Sequence, residues 1–297
     1  MLSLSKKMLK LGNGEQLAYV EHGKGDQVVF LIHGNMSSSL HYLPLIERLS
    51  PHFKVIAPDM RGFGDSTYNQ RFDSLYDLAD DLLDFAAKMN IKKAILVGWS
   101  TGGGIALRMA AKMPQLVSKI VLIESMSHKG YPIFRKDDKG QALLGQVYAT
   151  KDEMAADPIQ VAPAVAAMAT KNVPFMSYLW DVAIYSVNKP SPEDNKLYIN
   201  ETLKQRNLVD IDWGLATFNM GNDFNFYTQG DGSIAHVKAP VLSIWSKKDY
   251  VVLEYMVNET VAALGSLATL KLYENSGHSP LVDCPDQLAN DILAFVK

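Results

Sequence analysis

Residues 94–104 read Ala-Ile-Leu-Val-Gly-Trp-Ser-Thr-Gly-Gly-Gly, an apolar run of strand character that stops at Ser100 and passes directly into a helical pattern. A strand that turns into a helix within about five residues forces strained backbone angles on the residue at its apex. Gly98 and Gly102 remove the Cβ atoms that would collide where the two elements cross. Ser100 therefore stands on a sharp turn at a strand's C-terminal end. The amide of Thr101 lies in the first turn of the next helix, where backbone N–H groups lack partners. One turn supplies a nucleophile and half of an oxyanion hole. A phosphate loop would need a Gly-Lys-Ser/Thr ending or a spaced G-x-G-x-x-G, and neither is present.

The alternation of strand and helix extends outward from this turn. Segments 54–57, 94–97, 120–123, 241–245 and 269–273 are short apolar runs of the kind buried in a parallel sheet. Between them, 75–89 places Leu75, Leu78, Leu82, Phe85 and Met89 at helical spacing, and 105–113 and 287–296 follow the same pattern. Segments 17–21 and 27–32 read as an antiparallel hairpin leading into the sheet. The fold class is α/β, a mostly parallel sheet flanked by helices. Residues 126–207 break the rhythm with helix-length pieces rich in Ala, Met, Tyr and Pro. They are expected to form a helical cap inserted into a core made of 1–125 and 208–297, over the sheet edge where α/β proteins bind ligands.

Composition limits the function classes. The chain has 297 residues, 47% of them hydrophobic, enough for a substantial core. Its net charge of -3, from 29 basic and 32 acidic residues, gives no pull toward nucleic acid or an anionic membrane. Lys6, Lys7 and Lys10 are followed by no apolar segment of signal-peptide type. No run is long enough to span a membrane, and Cys284 has no second cysteine to pair with. A cytoplasmic location is expected.

A serine hydroxyl needs a base, and the base needs an orienting acid. His278, in the loop after the last strand, opens at the same sheet edge as Ser100, and Gly277 beside it lets the backbone bend. His33, at a strand end before Gly34, reads as a packed, structurally bonded residue. The other five histidines lie in turns or near helix ends. Asp249, after the strand at 241–245, is the choice for the acid, and Glu124, ending the strand at 120–123, is its competitor. The chain order Ser, Asp, His favours Asp249. Asp59, Asp65 and Asp283 read as turn and cap residues.

His33-Gly34-Asn35, the stretch from Asp59 to Ser66, Gly98-Trp99-Ser100-Thr101-Gly102, Asp249 and Gly277-His278 together resemble the α/β-hydrolase superfamily, in its helically capped branch. The resemblance spans almost the whole chain outside the insertion. It implies Ser100 as nucleophile, His278 as general base, Asp249 as orienter, and the backbone amides of Asn35 and Thr101 as the oxyanion hole. It also implies acyl-enzyme hydrolysis of a small-molecule or oligomeric ester, with no metal and no organic cofactor. Serine at position 100 departs from the branches whose nucleophile is a carboxylate. Trp99 is similar to the Gly-Trp-Ser-x-Gly box of some bacterial intracellular poly(3-hydroxybutyrate) depolymerases. Short acyl esters, lactones and hydroxyalkanoate oligomers all suit such a site. Carbon–carbon bond hydrolysis, by the same triad, and a receptor built on the same fold are the other readings. A neutral base implies that activity declines below about pH 6 to 7. Tyr131, Phe134, Met154, Met168, Phe175, Met176, Tyr178, Trp180 and Tyr185 are candidates to line an apolar acyl pocket or to pack the cap's own core.

Overall fold

The apolar runs become the strands of one eight-stranded sheet in a computed structural model that describes residues 2–296. In chain order the strands are β1 (Lys7–Lys10), β2 (Gln16–His22), β3 (Val28–Ile32), β4 (Lys54–Pro58), β5 (Ala94–Trp99) and β6 (Val117–Ile123). A separate hairpin, β7 (Phe134–Lys136) and β8 (Ala142–Val147), precedes β9 (Val241–Ser246) and β10 (Ala268–Tyr273). The spatial order is β1-β2-β4-β3-β5-β6-β9-β10, parallel from β4 onward, with β1 and β2 antiparallel at one edge.

The pleat sorts side chains between two cores. Phe30, Ile32, Leu96, Ile120 and Leu122 face one layer, and Val29, Leu31, Val97, Val121 and Ile123 face the other. Every residue of β5 is buried, which is why its sequence shows no polar alternation. Helix α1 (Leu43–Leu49) covers the second layer, and α2 (Leu75–Lys88) and α3 (Thr101–Lys112) cover the first. Ser74 caps α2 in a reciprocal box with Asp77.

The expected hairpin between the second and third strands does not form. Both edges of β3 are taken by parallel neighbours, β4 and β5, so β2 pairs with the far edge of β4. Strand β1, which the sequence reading passed over, extends that edge through Lys7↔Tyr19 to Lys10↔Gln16.

Between β6 and β9 the chain carries the β7–β8 hairpin and then α4 (Lys151–Ala155), α5 (Ala162–Ala169), α6 (Val173–Ala183), α7 (Pro192–Thr202) and α8 (Leu208–Thr217). Helix α9 (Glu254–Leu264) follows β9, and α10 (Pro280–Asp283) and α11 (Pro285–Val296) follow β10. Among the described residues no helix is long and apolar enough to cross a membrane.

Candidate active site

Ser100 sits between the last residue of β5 and the first of α3 with φ 56° and ψ −122°, a conformation that costs an L-residue on the order of 1–3 kcal/mol. Backbone bonds over-determine it: Ser100 N–H donates to Ile123 O at 2.9 Å, and Ser100 O accepts from Gly103 N and Met126 N. A Cβ on Gly98 would lie 2.4 Å from Gly102 O, and one on Gly102 would lie 2.1 Å from Ile32 O. Both obstacles are backbone, so the glycines are dictated by the crossing of strand and helix.

The loop after β10 carries His278 and is itself held down. Asp283 Oδ2 accepts from Gly277 N at 2.7 Å and Ser276 Oγ at 3.1 Å, the local role expected of it. Trp99 Nε1–H donates to the His278 carbonyl at 2.8 Å, so the residue before Ser100 ties the histidine loop to the serine turn. His278 Nδ1 meets Asp249 Oδ2 at 2.8 Å, and both side chains are buried. Asp249 Oδ1 accepts from the amides of Val251 at 2.7 Å and Val252 at 3.0 Å. Burial disfavours its charge, but His278, the Val251 amide and Glu124 outweigh that and hold Asp249 below the usual carboxylate range.

Glu124 reaches the same edge but not the imidazole. Its carboxyl accepts from Ser246 N at 3.0 Å and Ser246 Oγ at 2.5 Å. Burial, reinforced by the nearby charge of Asp249, pushes it far above the usual carboxylate range and keeps it neutral. The carboxylate brought to His278 is Asp249.

Ser100, His278, Asn35 and Thr101 all line one cavity of about 390 Å³. Ser100 Oγ makes no side-chain hydrogen bond among the described residues, whereas His278 is fixed through Nδ1, leaving Nε2 as its remaining site. A histidine locked in this way can take a proton at Nε2 while the aspartate stabilises the resulting cation. The rest of the cavity is largely apolar, with Tyr131, Phe175 and Trp180 from the expected lining set. Met154, Met168, Met176 and Tyr185 instead pack within the hydrophobic core, Phe134 meets Phe226 edge-on at 5.2 Å, and Tyr178 is exposed.

His33 is buried, with Nδ1–H directed to Gly34 O at 2.8 Å and Nε2 accepting from Met60 N at 3.0 Å, and burial pushes it down to about 4. It braces the turn that carries Asn35. His41 is stacked between Trp180 and Tyr198 at 5.0 and 4.8 Å. The sequence reading missed two residues close to Asn35. Gln205 donates to Asn35 Oδ1 at 2.9 Å and accepts from Met36 N at 3.0 Å, and Asp212 lines the cavity. Neither belongs to a motif, and only the folded chain brings them to the turn after His33.

The sequence pattern of the alpha/beta hydrolase fold family matches residues 27–285, and the chain belongs to that family. It is a hydrolase with esterases among its relatives. The chain is similar to the pimeloyl-[acyl-carrier protein] methyl ester esterase of Vibrio vulnificus, 25% identical over 94% of this chain and 97% of that one. It is also similar to the human serine hydrolase BPHL, 37% identical over 37% of this chain and 40% of that protein. Among solved structures, an esterase from Exiguobacterium antarcticum superposes with a TM-score of 0.75 at 19% identity, covering 98% of this chain and 99% of the other. An enol-lactonase from Burkholderia xenovorans superposes with a TM-score of 0.73 at 15% identity, covering 98% and 99%. These superpositions concern the fold.

Proposed function

We propose that this hydrolase cleaves carboxylic esters through an acyl-enzyme on Ser100. The observation that carries the reading is the strained Ser100 turn sharing one cavity with the buried His278–Asp249 pair. Ser100 Oγ attacks the ester carbonyl as His278 Nε2 takes its proton, and the tetrahedral oxyanion lies against the amides of Asn35 and Thr101. The alcohol leaves with the proton from His278. Water then enters, His278 takes a proton from it, and the acid is released with the serine restored. Each oxyanion donor contributes on the order of 3 kcal/mol to the transition state. Residues 126–207 act as the cap, supplying the apolar wall through Phe175, Leu179 and Trp180. The cavity suits a short or medium acyl chain, and the methyl ester named for the Vibrio relative belongs to the same bond class.

The test is direct. A fluorophosphonate probe labels Ser100, a p-nitrophenyl acyl ester is turned over, and Ser100→Ala removes the labelling and lowers kcat by ~10⁴-fold or more. Turnover in Ser100→Ala at the wild-type rate would refute the assignment.

A further inference from the structure

Helix α8 brings to the cavity a carboxyl group that the acyl-enzyme chemistry leaves unused. Asp212 lines the same cavity as Ser100, Asn35 and Thr101, and its residue surface is 6% exposed. Its Oδ1 accepts from Asn35 Nδ2 at 3.1 Å, the one side-chain hydrogen bond to this carboxyl among the described residues. The orientation of Asn35 is set from its other side, where Oδ1 accepts from Met36 N at 2.9 Å and Gln205 Nε2 at 2.9 Å. Among the described residues Oδ2 of Asp212 has no hydrogen-bond partner, and no lysine or arginine lines the cavity to neutralise a charge. Burial pushes this carboxyl up to about 8, with the Asn35 amide opposing and the charge of Asp157 adding to the rise. This rise favours the protonated acid near neutral pH, a form able both to donate and to accept. Such a group in apolar surroundings is unfavourable unless something bonds to it.

We propose that Asp212 determines substrate specificity by hydrogen-bonding a hydroxyl group carried on the acyl chain of the ester, a few carbons from its carbonyl. The inference rests on the esterase reading of Ser100. Asn35 connects the two poles: in the esterase reading its backbone amide serves the oxyanion, and its side-chain amide holds Asp212, so the bound hydroxyl lies about one side-chain length from the carbonyl. A substrate carboxylate would enter a cavity with no lining cation. An ammonium group would call for an ionised partner, whereas a hydroxyl matches a neutral acid as both donor and acceptor. A site built to bond a hydroxyl discriminates against the analogue lacking it more strongly than an apolar pocket does.

The experiment compares kcat/KM for p-nitrophenyl esters of butyrate, 3-hydroxybutyrate and 4-aminobutyrate in wild type, Asp212→Asn and Asp212→Ala. Wild type is expected to favour the hydroxy ester over butyrate by about tenfold or more. Asp212→Ala loses that preference, and Asp212→Asn, which keeps a donor and an acceptor, retains it to within about threefold. Equal rates for the hydroxy and plain esters in wild type, an unchanged ratio in Asp212→Ala, or a preference for the amino ester would each overturn the proposal. The wild-type ratio decides even where a variant fails to fold. Fluorophosphonate labelling of Ser100 keeps the two readings apart. Full labelling without a hydroxyl preference removes the role of Asp212 alone, and absence of labelling removes the esterase reading beneath it.

Discussion

Asp249 and Glu124 are two acids at one sheet edge, and their surroundings drive them apart. Asp249 is held ionised by His278, with the Val251 amide and Glu124 adding, whereas Glu124 is buried beside that charge and kept neutral. Replacing a neutral acid with an amide changes little, and replacing an ionised one removes the charge that stabilises the imidazolium. Asp249→Asn should therefore lower kcat on an acyl ester by ~10³–10⁴-fold, and Glu124→Gln by less than about tenfold. Steady-state kinetics on both variants checks this, and the reverse order would transfer the orienting role to Glu124. The sequence favoured Asp249 through chain order alone, because the turn after a strand is a local feature. That Glu124 turns instead to Ser246 is decided by packing and left no mark on the local pattern. Asp212 was illegible for a related reason: its contact with Asn35 joins two segments far apart in the chain.

Among elements, those buried on both faces were the most readable. The runs of β4, β5, β6 and β9 announce themselves because both layers of core demand apolar side chains, and α2 does so because its one buried face repeats at helical spacing. The run at 269–273 reads as buried in the same way, but β10 lies at the edge of the sheet and only Tyr273 in it is fully buried. Strand β1, Lys-Met-Leu-Lys at an edge and mostly exposed, carries no such demand. The hairpin of β7 and β8, half-buried in its first strand and mostly exposed in its second, likewise lies hidden in a stretch expected to be helical. Partner choice is no more visible locally, which is why β2 was assigned to β3 when it pairs with β4. The segment before β1 has a further task. Lys6 Nζ lies 2.7 Å from Asp59, 2.9 Å from Asp65 and 2.6 Å from Glu201, joining the loop after β4 to α7. Burial opposes the ammonium charge, but Asp59 and Glu201 outweigh it and raise its pKa. Lys6→Met would leave those carboxylates facing one another, with only Lys204 on Asp65 and Glu201 in compensation. Loss of one partner from a buried ion pair costs about 3–5 kcal/mol. The expected result is a lower urea midpoint together with early proteolytic cleavage near α7. An unchanged midpoint would mean that Lys204 alone suffices.

At the scale of the whole molecule, the same acid that gives the cavity its polar pole works against folding. Asp212 has an ordinary value of 3.8 and is raised to about 8 in the fold. Between those values the native state keeps a proton that the unfolded chain releases, so its contribution to stability is complete below 3.8, falls as pH rises, and levels off above about 8. At pH 7 this amounts to as much as ~4 kcal/mol, a large share of the stability of a typical domain. Asp212→Asn keeps the acceptor for Asn35 Nδ2 and has no proton to hold. The variant should be more stable than wild type by several kcal/mol at pH 7, with the advantage shrinking toward zero near pH 4. Glu124, His33, His41 and His128 are shifted by burial too, but they are common to both proteins and cancel in the difference. Urea unfolding of the pair at pH 4, 5.5 and 7 measures it. A difference that does not change with pH would mean that Asp212 is ionised in the folded protein, and a cavity with an ionised carboxylate would select a cation in place of a hydroxyl. A stabilised variant that had also lost discrimination among acyl esters in Asp212→Ala would show stability given up for a binding group, the pattern expected where function holds a residue in an unfavourable place.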